Sequence, residues 1–99
     1  MAIDYSRRQQ IHKGVTQGQF EAVTEAMKLI IQEDRERGLD ATMKFICPAC
    51  GDLRTRMGSV EYEGLRICND CATGYEVARI SHSAGTCAEY VAKQAARRN

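Results

Sequence analysis

The sequence predicts an α+β chain: an N-terminal amphipathic helix, a small four-cysteine zinc finger or ribbon built on a short β hairpin, and a C-terminal helix. Three observations predict it. Two C-x-x-C pairs, Cys47-Pro48-Ala49-Cys50 and Cys68-Asn69-Asp70-Cys71, stand seventeen residues apart, a spacing at which such pairs read as a metal site. Before them, apolar residues recur at helical intervals of three and four. Between them, apolar and polar residues alternate as in strands. The chain divides into an N-terminal segment and helical arm over 1–44, the finger over 45–80 and the C-terminal helix over 81–99.

The polar segment from Met1 to Val15 carries only scattered apolar residues, and a short helix from Asp4 is compatible with it. Thr16-Gln17-Gly18-Gln19 has the form of a capping box, with Thr16 as N-cap and Gln19 three residues on. Phe20, Val23, Met27 and Ile30 then form an apolar stripe, which Ala22, Ala26, Leu29 and Ile31 widen. Arg35 and Arg37 suit the negative end of the helix dipole, and Gly38 suits the position just past it. The arm helix is therefore predicted over about 17–37. Inside the finger, Phe45 and Cys47 lead into the first knuckle. Leu53, Thr55 and Met57 alternate with arginines, and Gly58-Ser59 and Glu63-Gly64 mark turns. Thr73–Ile80 reads as a helix weakened by Gly74. Thr86 and Glu89 form a second capping box opening a helix through about Arg98, which is expected to pack on the arm.

Cys47, Cys50, Cys68 and Cys71 are the candidate metal ligands. Four thiolates complete a tetrahedral shell around one Zn²⁺ at roughly 2.3 Å and leave no place for a reactive water, so the zinc is expected to be structural. The rival reading, a redox dithiol, belongs near a βαβ pattern that this chain lacks. Few large apolar residues lie between Phe45 and Ile80, and zinc binding can contribute on the order of 10 kcal/mol of folding free energy to such a module. The finger is accordingly expected to unfold without metal. Cys87, the fifth cysteine, falls on the apolar side of its helix and reads as a small buried hydrophobe. His12 and His82 read as surface residues.

Formal net charge is +1, too small for a strong global field toward nucleic acid. Residues 21–40 hold six acids against three bases, and residues 72–99 hold four bases against two acids. There is no apolar leader near Met1 and no run approaching the roughly 18 apolar residues of a membrane span, so a cytoplasmic protein is expected. No nucleophile–base pair, phosphate loop or paired carboxylates stand out, so no enzymatic activity is expected. Two function classes follow. The first is a non-enzymatic regulatory protein whose acidic, apolar-striped arm, Glu21 to Asp40, contacts a protein partner. The second is a nucleic-acid-binding ribbon using Arg54, Arg56 and Arg66, with Lys93, Arg97 and Arg98 in support. Asp52, Glu61, Glu63 and Asp70 balance the finger arginines and favour the first class.

The Cys47-to-Gly51 opening, the seventeen-residue spacing and the ending Gly64-Leu65-Arg66-Ile67-Cys68-Asn69-Asp70-Cys71 resemble the finger of the DksA/TraR family, zinc-finger regulators of bacterial RNA polymerase. The resemblance covers about 25 residues, with a helix before the finger and another after it in similar order. It implies a bacterial or phage regulator that enters the secondary channel of RNA polymerase and alters initiation without binding promoter DNA. Family members place acids at the tip of an N-terminal arm. Here Asp4 is the one acid before Glu21, so no residue is assigned that role.

Overall fold

The arm opens at the predicted capping box. In the computed structural model, which describes residues 14–98, the Thr16 hydroxyl accepts from the Gln19 N–H at 3.1 Å. The Thr16 N–H in turn donates to the Gln19 side-chain oxygen at 2.9 Å. Helix α1 then runs Gln17–Glu36, and Gly38 follows at φ +95°, a left-handed position that glycine takes without strain. His12 and the short helix compatible with the sequence from Asp4 lie outside the described residues. Along α1, Val23 and Met27 are buried and Phe20 and Ile30 pack partly against the core, while Leu29 stays 53% exposed.

The finger holds two hairpins where one was expected. Strand β1 (Lys44–Ile46) pairs antiparallel with β2 (Leu53–Thr55), setting Phe45 opposite Arg54 and Ile46 opposite Leu53. Strand β3 (Val60–Tyr62) pairs with β4 (Leu65–Ile67) across Glu63-Gly64, both at positive φ (53° and 86°). Such a two-residue turn matches strand twist. The two sheets are separate, and the backbone turn between them is bonded to the arm and to Asn69. The Gly58 N–H donates to Asp34 of α1 at 2.8 Å, and the Gly58 carbonyl accepts from the Asn69 side chain at 2.9 Å. No ladder can pass through that residue.

Helix α2 (Asn69–Ile80) starts inside the second knuckle, with Cys68 in the extended conformation of an N-cap, rather than at Thr73. The helix runs unbroken through Gly74. A Cβ there would lie 2.6 Å from the Tyr90 hydroxyl, so the missing side chain admits the neighbouring helix. That neighbour, α3 (Cys87–Arg98), begins at the second capping box, where the Glu89 N–H donates to Thr86 Oγ1 at 3.2 Å and the Thr86 N–H to Glu89 Oε1 at 3.3 Å.

The arm packs chiefly on α2, not on α3. Ala72, Tyr75 and Val77 of α2 are almost fully buried. Tyr75 meets Tyr62 edge-on at 4.8 Å and Tyr90 of α3 at 5.3 Å. Tyr90 and Val91 of α3 pack partly against the core, Tyr90 by way of Tyr75. Among the described residues no helix is long and apolar enough to cross a membrane.

Candidate metal centre

The first knuckle follows β1. Gly51, at φ +77°, turns the chain, and its N–H donates to the Cys47 carbonyl at 2.7 Å. The Cys47 N–H donates to the Asp52 carbonyl at 3.0 Å and closes the loop. The second knuckle joins β4 to α2, so Cys68 and Cys71 both sit at the helix N-terminus, where the partial positive charge favours thiolate. The two knuckles meet directly, the Cys68 N–H donating to Cys47 Sγ at 3.4 Å. The Gly51 N–H thus serves a carbonyl, while the next one along, that of Asp52, reaches the Cys50 sulfur.

The four sulfurs of Cys47, Cys50, Cys68 and Cys71 all lie within 4.8 Å of one another. Ligands at roughly 2.3 Å around a tetrahedral ion stand about 3.8 Å apart, so the set fits a metal ion with small inward movement. Cys47 is 0% and Cys68 1% exposed, while Cys50 and Cys71 are half-buried. The thiols are unequal. A hydrogen bond from Cys71 holds Cys68 below the usual thiol range, and that same bond, with burial, pushes Cys71 up. Burial also raises Cys50. Such a cluster favours a cation that accepts all four as thiolates. The residues fit the ion, and bound there it would tie the β1 end to the start of α2.

Two arginines frame the knuckles. Arg54 of β2 pairs with Asp70, which raises its pKa, as does the nearby Cys68. Arg98 of α3 donates to the Ala49 carbonyl. Cys87 is 3% exposed and stands outside the sulfur cluster, its pKa raised by burial. His82 is exposed, at φ 59° just past α2.

The three finger arginines do not converge. Arg66 donates to Ser59 Oγ at 2.8 Å and pairs with Glu61 at 3.7 Å, on the other hairpin from Arg54. Arg56 lies beyond the end of β2, exposed, and makes no ion pair among the described residues. Asn69 and Arg98 are structural contributors that sequence reasoning missed. Asn69 passed as a spacer between cysteines, although its side chain bonds the Met27 carbonyl at 3.0 Å as well as Gly58. Nothing in the spacing marks either residue.

The fold and site define an α+β chain with a four-cysteine cluster able to hold a metal ion. No family model, curated protein or solved structure matches the chain.

Proposed function

We propose that the chain is a non-enzymatic regulatory protein, stapled by one structural zinc and acting by binding a protein partner. Zinc is the natural ion for four thiolates in a closed tetrahedral set, since soft sulfur selects it over magnesium or calcium. The observation that supports partner binding is the Ile46–Leu53 pair. These residues face each other across the first hairpin, yet stand 63% and 61% exposed. An apolar cross-strand pair left in water on a small rigid knuckle is the kind of anchor a protein surface buries. Leu29 on the arm, 53% exposed, offers a second apolar contact.

By the finger resemblance, the partner is bacterial RNA polymerase, met in the cytoplasm. The nucleic-acid reading has less support, because Asp70 and Glu61 already engage Arg54 and Arg66. Capture from bacterial lysate with the zinc-loaded chain tests the proposal. RNA polymerase should be retained by the wild type and lost with the double variant Ile46→Lys, Leu53→Glu. Recovery of a nuclease, a receptor or DNA instead would overturn it.

A further inference from the structure

We infer that Arg98 is a positioning residue of the metal centre: its guanidinium fastens the Cys47–Cys50 turn to helix α3, so that metal retention and docking of α3 are one coupled state. The inference rests on reading the four cysteines as a metal site.

Ala49 lies between two ligands and is 1% exposed, yet its carbonyl is reached by Arg98, 49 residues along the chain. The contact is built into the turn. A Cβ on Gly51 would lie 3.1 Å from both Cζ and Nε of Arg98, so the guanidinium rests against bare backbone. Gly51 is favoured for its φ of +77°, and its bare backbone lets the guanidinium approach closely. The Cys47 carbonyl takes the Gly51 N–H and the Ala49 carbonyl takes Arg98, which fixes the peptide planes that aim Cys47 and Cys50.

Charge points the same way. Four thiolates around a divalent ion leave a net charge of about −2, and a guanidinium stays protonated at any working pH. Each knuckle is held by an arginine from outside it: Asp70 of the second by Arg54, and Ala49 of the first by Arg98. Outer partners of this kind typically change metal affinity by about 10–100-fold. Because coupling is reciprocal, a metal ion tightens α3 docking by the factor with which docked α3 tightens the metal.

The test compares wild type, Arg98→Ala, Arg98→Lys and Val91→Ala. Val91 packs partly against the core from α3 and carries no group that could hydrogen-bond the knuckle. Each loaded protein is mixed with excess chromogenic chelator and zinc release is timed. Arg98→Ala should still bind one zinc and release it about tenfold faster, with Arg98→Lys recovering much of the loss. Val91→Ala, which loosens α3 but keeps the guanidinium, should release at a rate between those of wild type and Arg98→Ala. In cobalt-substituted protein, the thiolate-to-cobalt charge-transfer bands should shift in Arg98→Ala and hold in Val91→Ala. Release from Arg98→Ala at the wild-type rate, or at the Val91→Ala rate with unshifted bands, overturns the proposal. A wild-type chain that binds no metal is a different failure, which removes the metal reading itself and the proposal with it.

Discussion

The Asp34 carboxylate, near the end of the arm helix, accepts a hydrogen bond at 2.8 Å from the backbone N–H of Gly58, a turn residue of the finger. Asn69 holds the same glycine from its other side while bonding the Met27 carbonyl of the arm. Gly58 has φ +84°, and a Cβ there would lie 2.4 Å from Ile31 Cγ1. Arm and finger are joined at a point where only glycine fits. Gly58→Ala should cost about 3 kcal/mol, from strain and overpacking together, and lower the Tm by roughly 10 °C or more. Differential scanning calorimetry checks it.

Asn69 donates to two carbonyls on separate elements. Asn69→Ala should cost about 1–3 kcal/mol, as two part-buried acceptors lose their donor. Asn69→Asp should be worse despite its matching shape, because a carboxylate would face two carbonyl oxygens. Urea unfolding of the two variants distinguishes these effects. Equal stability of the two would show that the amide donors contribute little.

Alkali should unfold the protein through its tyrosine stack. Burial raises Tyr62 well above the usual phenol range, with the 2.6 Å hydrogen bond to Glu76 adding to it. Tyr75 and Tyr90 are also raised by burial. A folded pKa above the unfolded one means the contribution is complete below about pH 10, the unfolded value, and is lost as pH rises toward the folded value. Tyrosinate absorbance should therefore appear late and together with loss of helix. Tyr62→Phe should flatten the alkaline limb while costing about 1 kcal/mol at neutral pH.

The exposed hairpin pair should matter for binding and little for folding. Ile46→Lys with Leu53→Glu places opposite charges directly across the strands and should change stability by less than about 1 kcal/mol. A large drop in the urea midpoint would mean that the pair supports the fold itself.

What was legible in the sequence followed from local rules. The capping boxes at Thr16 and Thr86 formed because each needs only a hydroxyl and a side-chain acceptor three residues on. The four cysteines came together as their pairing implied. The rest depended on long-range contacts. Two hairpins stand where one was expected, and the Gly58 turn between them is bonded to Asp34 of the arm. Gly74 signalled a weak helix by propensity, whereas its bare backbone receives Tyr90. The balance of acids against the finger arginines was legible in the sequence, but which acid meets which arginine, Asp70 with Arg54 and Glu61 with Arg66, was set by the fold.

If the four-cysteine cluster is a metal staple, the finger does not hold without its ion. The most direct measurement is zinc content of protein purified without chelator, with far- and near-ultraviolet circular dichroism recorded before and after chelation. One zinc per chain is expected, with the native near-ultraviolet signal lost on chelation and regained with added zinc. Serine at Cys47, Cys50, Cys68 or Cys71 should reproduce the loss, whereas Cys87→Ser should keep the full metal content. A stoichiometry well below one, or a spectrum and Tm unchanged by chelation, would contradict the account.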